Sequence, residues 1–300
     1  MFLELDLAGA EWVIVAYIAD DPAMISVVES GESPHVATGY FMTDVPKELI
    51  VKEHKLLGAA TDPELIADVR KRELEEMMDV AQFLPRSMTV RQAGKKSNHG
   101  LNYDMRYKRF ALTNEIPENE AAVLVDTYHD VYPNVRKRFH KDVQDDLRKT
   151  RTIVDLFGNK VRLLDQPGPD LYDKAYSYKP QSTVANIVKR AMRLCYEDRS
   201  ALFEPMEMCA NVHDSLLFDY PSQPWDRFVE FAHAVRDYMS PELSVNGHSF
   251  VLNVDAKYGK NWGDMQPLEL EKRLEKLPTH GLLPPFLIHS WAASVGVDVG

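Results

Sequence analysis

The sequence predicts an α+β protein, in which an antiparallel sheet is combined with helices that make up most of the chain. One strand is predicted over residues 2–7, where apolar and acidic side chains alternate. A β-hairpin is predicted over residues 211–220, where apolar residues lead into and out of a polar turn with Asp214 at its tip. Between these two stretches, most apolar residues recur at helical spacing.

Length and composition indicate an ordinary globular protein. The 300 residues allow a sizeable core and one or two domains. The net charge is −11, so binding of nucleic acid would need a local basic patch. The two cysteines exclude a disulfide scaffold and fit a reducing compartment. Because no run of about 18 apolar residues occurs and no signal peptide is recognisable, we expect a cytoplasmic protein without a membrane partner.

Two carboxylates lie where the first strand and the hairpin would meet. Asp6 is near the end of the first strand, and Asp214 is at the bend of the hairpin. If the two elements are neighbours in one sheet, the side chains converge. A bare carboxylate at a bend is costly unless it stays solvated or meets a cation. Two such groups at one place suit a pair of Mg²⁺ ions about 3.5–4 Å apart, which can clamp a phosphoryl transfer.

Helices are predicted over most of the first half of the chain. Apolar residues follow helical spacing there, and Asp62-Pro63 is a typical helix start. The charged run from Arg70 to Glu76 is interpreted as a solvated helix face. The predicted helices of this half cover residues 10–19, 24–29, 35–42 and 64–83.

A basic segment follows, and residues 89–107 are predicted to form one long helix. Residues 86–110 hold seven Lys and Arg side chains against one acid, Asp104. Side chains spaced by four share one stripe of a helix, because each step drifts only about 40° around it. The bland alternative is a charged surface helix, but an aromatic ring among cations favours a triphosphate and a base as ligands. The stripe consists of Arg91, Lys95, His99 and Tyr103.

The second half is predicted to contain further helices, a second hairpin and a last strand. The second hairpin has its turn at Gly158-Asn159, and the last strand covers residues 250–254. The predicted helices of this half cover residues 117–132, 134–150, 181–202 and 224–239. After these come a charged helical segment, 269–276, and an apolar tail with Phe286, Leu287, Ile288 and Trp291.

Several of these stretches resemble, in the right order, the motifs of the family A DNA polymerases, which include bacterial polymerase I and phage enzymes. The likeness covers about residues 1–264. Asp6-Leu7-Ala8-Gly9-Ala10-Glu11 resembles motif A, Arg91-x3-Lys95-x3-His99-x3-Tyr103 resembles motif B, and Val212-His213-Asp214 resembles motif C. Asp155-Leu156-Phe157-Gly158-Asn159 and Gln181-Ser182-Thr183 also match in order, and Gly259-Lys260-Asn261-Trp262 is similar to the C-terminus of phage members.

The resemblance implies a polymerase palm, which is an antiparallel sheet with helices, and helical fingers. The palm is expected at 1–28 and 151–264, the fingers at 29–150 with a helical insertion at about 45–88, and a C-terminal tail at 265–300. The thumb and the exonuclease domain are expected to be absent. Such a chain would hold primer–template DNA poorly alone. It is expected to work with a separate thumb-and-exonuclease chain.

The resemblance also implies roles for individual residues. Two Mg²⁺ ions, or Mn²⁺ in their place, would be held by Asp6, Asp214 and the Leu7 carbonyl. Lys95 would be catalytic as a proton donor to pyrophosphate. Glu11 would be the steric gate that excludes a ribose 2′-OH. The incoming dNTP would be bound by His35, Arg91, Lys95, His99, Tyr103 and Glu11, and the primer–template DNA by Gln181, His213 and Lys160.

Three positions depart from the family pattern, and several site residues have a plainer interpretation. His99 stands at the position of the usual aromatic residue, Asp104 replaces a common Gly, and Ser215 replaces the usual Glu. The plainer interpretations are turn carboxylates for Asp6 and Asp214, a surface histidine for His35, an acid favoured by the helix dipole for Glu11, a helix-start residue for Gln181 and a structural His213.

Two functions stay open on this basis. The first is a DNA-directed DNA polymerase, which adds dNMP to a primer 3′-OH as the C-terminal catalytic part of a split or truncated phage-type enzyme, in the host cytoplasm if viral. The alternative is a non-catalytic polymerase remnant that binds DNA or a partner. Retention of the acids and of Lys95 and Tyr103 favours the first. An RNA polymerase or reverse transcriptase shares the two-carboxylate chemistry, but Glu11 argues against it.

Overall fold

The computed structural model describes residues 1–74 and 87–270. The predicted α+β class is confirmed, because a five-stranded antiparallel sheet lies beside helices that form most of the described chain. Numbered along the described chain, the strands are β1 (Phe2–Leu7), β2 (Thr152–Val154), β3 (Lys160–Arg162), β4 (Glu207–Val212), β5 (Ser215–Asp219), β6 (Leu243–Val245), β7 (His248–Phe250), β8 (Val254–Asn261) and β9 (Asp264–Leu268).

The described helices connect and cover these strands, and none of them is long and apolar enough to cross a membrane. They are α1 (Ala10–Ala19), α2 (Pro22–Glu29), α3 (Pro34–Thr43), α4 (Lys47–Leu57), α5 (Pro63–Glu73), α6 (Val90–Leu101), α7 (Tyr107–Asn114), α8 (Glu118–Val131), a π-helix (Val135–His140), α9 (Lys141–Thr150), α10 (Pro169–Glu197) and α11 (Trp225–Met239).

The first strand lies at the centre of the main sheet, whose order is β4-β5-β1-β8-β9. Alternate residues of β1 are buried, and Asp6 lies on the other, less buried face. Asp6 is opposite Ser215 of β5 on one side and opposite Asp255 of β8 on the other. Because a slip of one residue would turn Asp6 toward the core, the apolar face of β1 specifies this register.

Helix α1 follows β1 through a tight corner at Gly9, whose φ of 59° favours glycine. Nine of the ten residues of α1 are buried, so the helix is covered on nearly all sides. The residue that is not buried is Glu11, in the first turn. The packing of α1 therefore fixes the orientation of the Glu11 side chain relative to the core.

Helices α3 and α6 pack unusually closely in the helical part of the chain. A Cβ atom added to Gly94 of α6 would lie 2.1 Å from the His35 carbonyl oxygen and 2.9 Å from the Gly39 nitrogen of α3. Only a residue without a side chain permits this approach. Helix α4 packs against both α3 and α6, and α5 packs against α4. A core cluster under these helices consists of Val36, Val45, Ile50, Leu74, Met88, Val90 and Ala93.

A buried ion pair connects α4 and α5 to the N-terminus of α6. The Arg70 guanidinium donates to the Glu53 carboxylate at 2.7 Å and to the Met88 carbonyl at 3.0 Å. Glu53 is fully buried and also accepts the Val90 backbone N–H at 2.8 Å. The interpretation of the charged run as a solvated face is therefore wrong for Arg70, which is 6% exposed.

We expect Arg70→Met to lower the free energy of unfolding by about 3–5 kcal/mol, because it leaves the buried Glu53 carboxylate without its cation. Urea unfolding measures this loss. The double variant Arg70→Met with Glu53→Gln should recover part of it. The matched control is Arg72→Met, which breaks an exposed pair with Asp68 and should cost less than about 1 kcal/mol. Equal losses in the two arginine variants would contradict the prediction.

Helix α6 ends earlier than the predicted helix 89–107. It stops two residues before Tyr103, which lies in the turn that follows. Asp104 adopts the left-handed region with φ 60°, and the N–H of Met105 bonds back to the Gly100 carbonyl at 3.1 Å. This is a C-terminal cap, and hydrophobic spacing does not predict it.

Helix α10 is longer than predicted. The spacing places its start at Gln181, but the helix begins at Pro169 and continues through Pro180. A proline inside a helix removes one hydrogen bond and is therefore read as a boundary. Leu171 and Tyr176 of the preceding part are buried, and this packing supports the longer helix.

The strand predicted over residues 250–254 is divided between two sheets. The Phe250 ring stacks on Tyr17 at 3.9 Å and belongs to the small β6–β7 hairpin. The main sheet resumes with β8 and extends through β9 to Leu268, beyond the predicted boundary at 264.

Other predicted helices correspond to described ones. The predictions for 10–19, 24–29 and 35–42 match α1, α2 and α3 within two residues at each end, and the predicted helix 134–150 is divided into the π-helix and α9. The second part of the predicted helix 64–83 lies outside the described residues. So do most of the predicted segment 269–276 and the apolar tail.

Candidate active site

Asp6 and Asp214 lie together at the end of β1. The Leu7 N–H donates to the Asp214 carbonyl at 3.3 Å, which holds the hairpin turn against the first strand. The pKa of Asp6 is raised to about 6, first by burial and then by the charge of Asp214 and a hydrogen bond between the two carboxyl groups. Glu4 and Asp255 contribute smaller effects. Such a pair favours the approach of a cation.

The hairpin turn that carries Asp214 is held by its neighbours. It has two central residues, and His213 adopts the left-handed region with φ 54°. The Asn211 side chain donates to the backbone carbonyls of His213 at 3.3 Å and Ser215 at 3.0 Å. The Ser215 hydroxyl donates to the Val212 carbonyl at 3.0 Å. Ser215, which replaces the usual Glu, therefore closes the turn.

A third carboxylate, Asp255, was missed by sequence reasoning. It is directly opposite Asp6 in the β1–β8 ladder and therefore lies on the same face of the sheet. The pKa of the Arg91 guanidinium is lowered by burial, and the negative charge of Asp255 acts in the opposite direction. The charge of Asp255 thus acts both on the acid pair and on the basic helix. A sequence prediction that paired β8 with β1 would have placed Asp255 opposite Asp6.

The acid pair fits a divalent cation. Within 1–74 and 87–270, neither Asp6 nor Asp214 forms an ion pair with a Lys or Arg, so the protein does not neutralise their charge. Carboxylate and carbonyl oxygens are the ligands that Mg²⁺ prefers. The described residues contain no group of three or more His, Cys, Asp or Glu side chains arranged to hold a metal. A pair of carboxylates leaves coordination positions for substrate phosphates, as is usual for Mg²⁺.

Glu11 joins three elements beside this pair. Its Oε2 accepts a hydrogen bond from the Tyr103 hydroxyl and lies 3.4 Å from the Gln181 amide nitrogen of α10. Burial, and then the charge of Glu11, raise the pKa of Tyr103 well above its usual range. Tyr103 is therefore a neutral hydrogen-bond donor to Glu11.

The basic face of α6 lies near His35 of α3. The pKa of His35 is lowered to about 4, first by burial and then by the positive charges of Arg91 and Lys95. His35 is therefore neutral at pH 7. Its Nδ1 lies 3.2 Å from the Asn98 amide nitrogen, which donates, so the proton of the ring is on Nε2. His99 lies on the same face, with its ring 5.8 Å from the ring of Tyr103.

Comparison with known protein families gives a match to DNA polymerase family A over residues 1–264. The chain belongs to this family. The thermostable DNA polymerase I of Thermus aquaticus is 24% identical over 278 residues, which cover 87% of this chain and 27% of that protein. DNA polymerase I of Treponema pallidum is 28% identical over 188 residues, which cover 58% of this chain and 18% of that protein.

This family A chain spans about a quarter of the length of the Thermus aquaticus relative. Among solved structures, it is similar to the POL domain of Pol1 from M. smegmatis, which was determined in complex with DNA primer-template and dNTP. The TM-score is 0.64 at 22% identity, and the similarity covers 87% of this chain and 40% of that one. This likeness supports the polymerase fold.

The residues predicted to contact DNA lie in three places of the family A chain. Gln181 lies next to Glu11, His213 is exposed in the turn beside Asp214, and Lys160 is exposed on the separate β2–β3 sheet. The structure therefore brings Gln181 to Glu11 and His213 to the turn of Asp214. Lys160 lies on another element.

The β2–β3 hairpin of this family A chain is anchored by Asp155. Its strands have three residues each, and the loop is longer than the predicted Gly-Asn turn. Asp155 is 4% exposed and accepts hydrogen bonds from the Asn159 backbone N–H at 2.9 Å, the Ser182 hydroxyl at 2.6 Å and the Asn186 amide at 2.8 Å. This buried carboxylate attaches the hairpin to α10.

Proposed function

We propose that the chain carries out template-directed DNA synthesis, in which a dNMP unit is transferred to the 3′-OH of a primer and pyrophosphate leaves. The observation that carries the proposal is the meeting of Asp6 and Asp214, from distant parts of the sequence, beside Asp255, whose charge also acts on Arg91. Family A membership supports it. Phosphoryl transfer depends mainly on positioning and charge neutralisation, which these groups can supply.

Asp6, Asp214 and the carbonyl of Leu7 would hold two Mg²⁺ ions, or Mn²⁺ in their place. Ions bound there would lower the pKa of the primer hydroxyl and neutralise charge on the phosphoryl oxygens. The register of β1 against β5 keeps the two carboxylates at one place without further movement.

Arg91, Lys95 and His35 would bind the triphosphate of the incoming nucleotide. Arg91 can bind phosphate oxygens through two parallel N–H groups, and Lys95 adds a mobile point charge. Lys95 would also protonate the pyrophosphate as it leaves. Neutral His35 contributes a hydrogen bond from Nε2–H and no charge.

Glu11 and Tyr103 would select the sugar and the base. The carboxylate of Glu11, held by Tyr103 and Gln181, would occupy the space that a ribose 2′-OH needs. The Tyr103 ring would stack near the template base, and His99 would lie beside the sugar. Gln181, His213 and Lys160 would contact the primer–template.

The palm and fingers assignment of the chain is part of this proposal. Residues 1–28 and 151–264 contribute β1, β4, β5, β8 and the first residue of β9 to the main sheet, which is expected of a palm. The described part of residues 29–150 consists of helices and connecting turns, which is expected of fingers. Phage type and a separate thumb-and-exonuclease chain stay predictions.

A primer-extension assay tests the proposed function. Because the chain is expected to hold DNA poorly alone, it is mixed at low salt with a large excess of labelled primer–template, the four dNTPs and Mg²⁺. Product length is followed with and without EDTA. Template-directed extension that EDTA abolishes is expected. Retained DNA binding without any extension would instead favour the non-catalytic remnant.

We expect Glu11→Ala to admit ribonucleotides. The clash that excludes a 2′-OH is worth about 1–3 kcal/mol, which corresponds to about a 5- to 150-fold loss of selectivity. The measurement is the ratio of kcat/KM for a dNTP to that for the matching ribonucleotide. The control is Glu118→Ala, an exposed glutamate in the first turn of α8. Unchanged sugar selectivity in Glu11→Ala would exclude the gate role.

A further inference from the structure

The turn that carries Tyr103 is held on both sides by residues from outside α6. Asn102 precedes Tyr103 and Asp104 follows it, and each of the two has its own polar partners on later elements. The side chain between them reaches Glu11. The position of Tyr103 therefore depends on groups that do not touch Tyr103 themselves.

Asn102 is bound through both its side chain and its backbone. It is 2% exposed, and its Oδ1 accepts the hydroxyl of Tyr128 at 2.7 Å. Its backbone carbonyl accepts a hydrogen bond from His140 Nε2 at 2.7 Å. The His140 ring is itself fixed, because it stacks on the Tyr176 ring at 4.1 Å. Buried hydrogen bonds of this kind fix a backbone segment strongly.

Asp104 is bound through its carboxylate. Its φ of 60° lies in the left-handed region, which costs a residue with a side chain roughly 1–2 kcal/mol. Arg136 offsets part of this cost, because its guanidinium lies 2.9–3.0 Å from the Asp104 Oδ1 in a partly exposed ion pair. A glycine at this position would adopt the same backbone conformation without an ion pair to stabilise it.

Arg136 and His140 both belong to the π-helix Val135–His140. Single π-helical turns are rare and often occur at functional sites. Here the π-helix places Arg136 on Asp104 and His140 on Asn102, the two residues that flank Tyr103. Tyr128, from the preceding α8, completes the set.

We propose that Arg136, His140 and Tyr128 are positioning residues for Tyr103, and through it for the Glu11 gate, so that they control nucleotide selectivity. This inference rests on the proposed function. The three residues hold the turn, the turn places the Tyr103 hydroxyl on Glu11, and this contact fixes the carboxylate where the sugar would lie.

The test compares Arg136→Met with the double variant Arg136→Met and Asp104→Gly in the full chain. The single variant leaves Asp104 in a strained conformation without its cation. We expect the KM for dNTP to rise, and selectivity against ribonucleotides to fall, about three- to tenfold, with kcat nearly unchanged. Glycine adopts φ 60° freely, so the double variant should return both values to near those of the wild-type chain.

Three further variants separate positioning from general destabilisation. Tyr128→Phe removes one hydroxyl and should lower selectivity in the same direction. Tyr238→Phe, which loses a comparable hydrogen bond to Asp198, should leave selectivity unchanged. Arg148→Met breaks an exposed pair with Asp145 and should also leave it unchanged.

The outcomes distinguish this inference from the proposed function. If the wild-type chain does not extend a primer, the proposed function fails. If it extends primers but Arg136→Met and Tyr128→Phe keep wild-type selectivity, only the positioning inference fails. It fails also if glycine at position 104 does not rescue Arg136→Met, because Arg136 would then act directly on the nucleic acid.

Discussion

Replacing Asp214 with Asn should lower nucleotide incorporation by on the order of 10³-fold while stabilising the metal-free protein. Loss of one of two carboxylates removes several kcal/mol of transition-state stabilisation at a metal site, and each 1.4 kcal/mol is about tenfold in rate. The fold should be retained, because the turn is held by Asn211 and Ser215 and by the backbone carbonyl of Asp214, which Asn keeps.

The stabilising effect follows from the raised pKa of Asp6. Because its pKa is about 6 in the folded chain and 3.8 ordinarily, the folded state binds more protons than the unfolded state between these values. The free energy of unfolding therefore falls as the pH rises through this window. Asp214 is one cause of the shift, so Asp214→Asn should lower the pKa of Asp6 and make the protein more stable above pH 6.

Primer extension and urea unfolding in EDTA measure the two effects, and an NMR titration of the Asp6 carboxyl follows its pKa. Asp146→Asn, an exposed residue of α9, is the matched control and should change neither activity nor stability appreciably. Incorporation within tenfold of wild type by Asp214→Asn would exclude the metal-ligand role. A pKa of Asp6 that does not move would show that Asp214 is not its neighbour in solution.

Replacing Gly94 with Ala should lower both stability and nucleotide binding. The new Cβ would lie 2.1 Å from the His35 carbonyl oxygen, and backbone cannot rotate away as a side chain can. Helices α3 and α6 must separate, which costs about 1–3 kcal/mol or more. The same movement displaces His35 from Arg91 and Lys95. A misplacement of about 1 Å can cost about 10²-fold in kcat/KM.

Urea unfolding and kcat/KM for dNTP measure these losses. Gly263→Ala is the matched control, because its added Cβ would have only the Asn261 Oδ1 within 4 Å, at an ordinary 3.6 Å. It should leave both quantities near those of the wild-type chain. If Gly94→Ala behaves like Gly263→Ala, the close approach of α3 and α6 does not exist in solution.

Elements with a strong local pattern were predictable from the sequence. The alternation of residues 2–7 and the apolar spacing of residues 10–19 correspond to β1 and α1. The position of Asp214 in a tight hairpin turn was predictable in the same way, because polar residues between apolar runs mark turns. These features depend on neighbours within a few residues of one another.

Features that depend on distant contacts were not predictable. Tyr103 leaves α6 because Asp104 adopts a left-handed conformation that Arg136 stabilises, and spacing by four cannot reveal this. In the sequence, Arg70 belongs to a charged run typical of a surface, but in the structure it is buried in an ion pair with Glu53. Asp255 joins the acid pair only through the register of β8 with β1, which no local pattern specifies.

The central place of β1 in its sheet affects how the protein must be made. Both of its neighbours, β5 and β8, are more than two hundred positions later in the chain. On the ribosome, the first strand therefore emerges long before either partner exists. Contacts of such wide separation form slowly and leave strand edges exposed in the meantime. The acid pair can assemble only when synthesis has passed Asp214, so shorter nascent chains lack it.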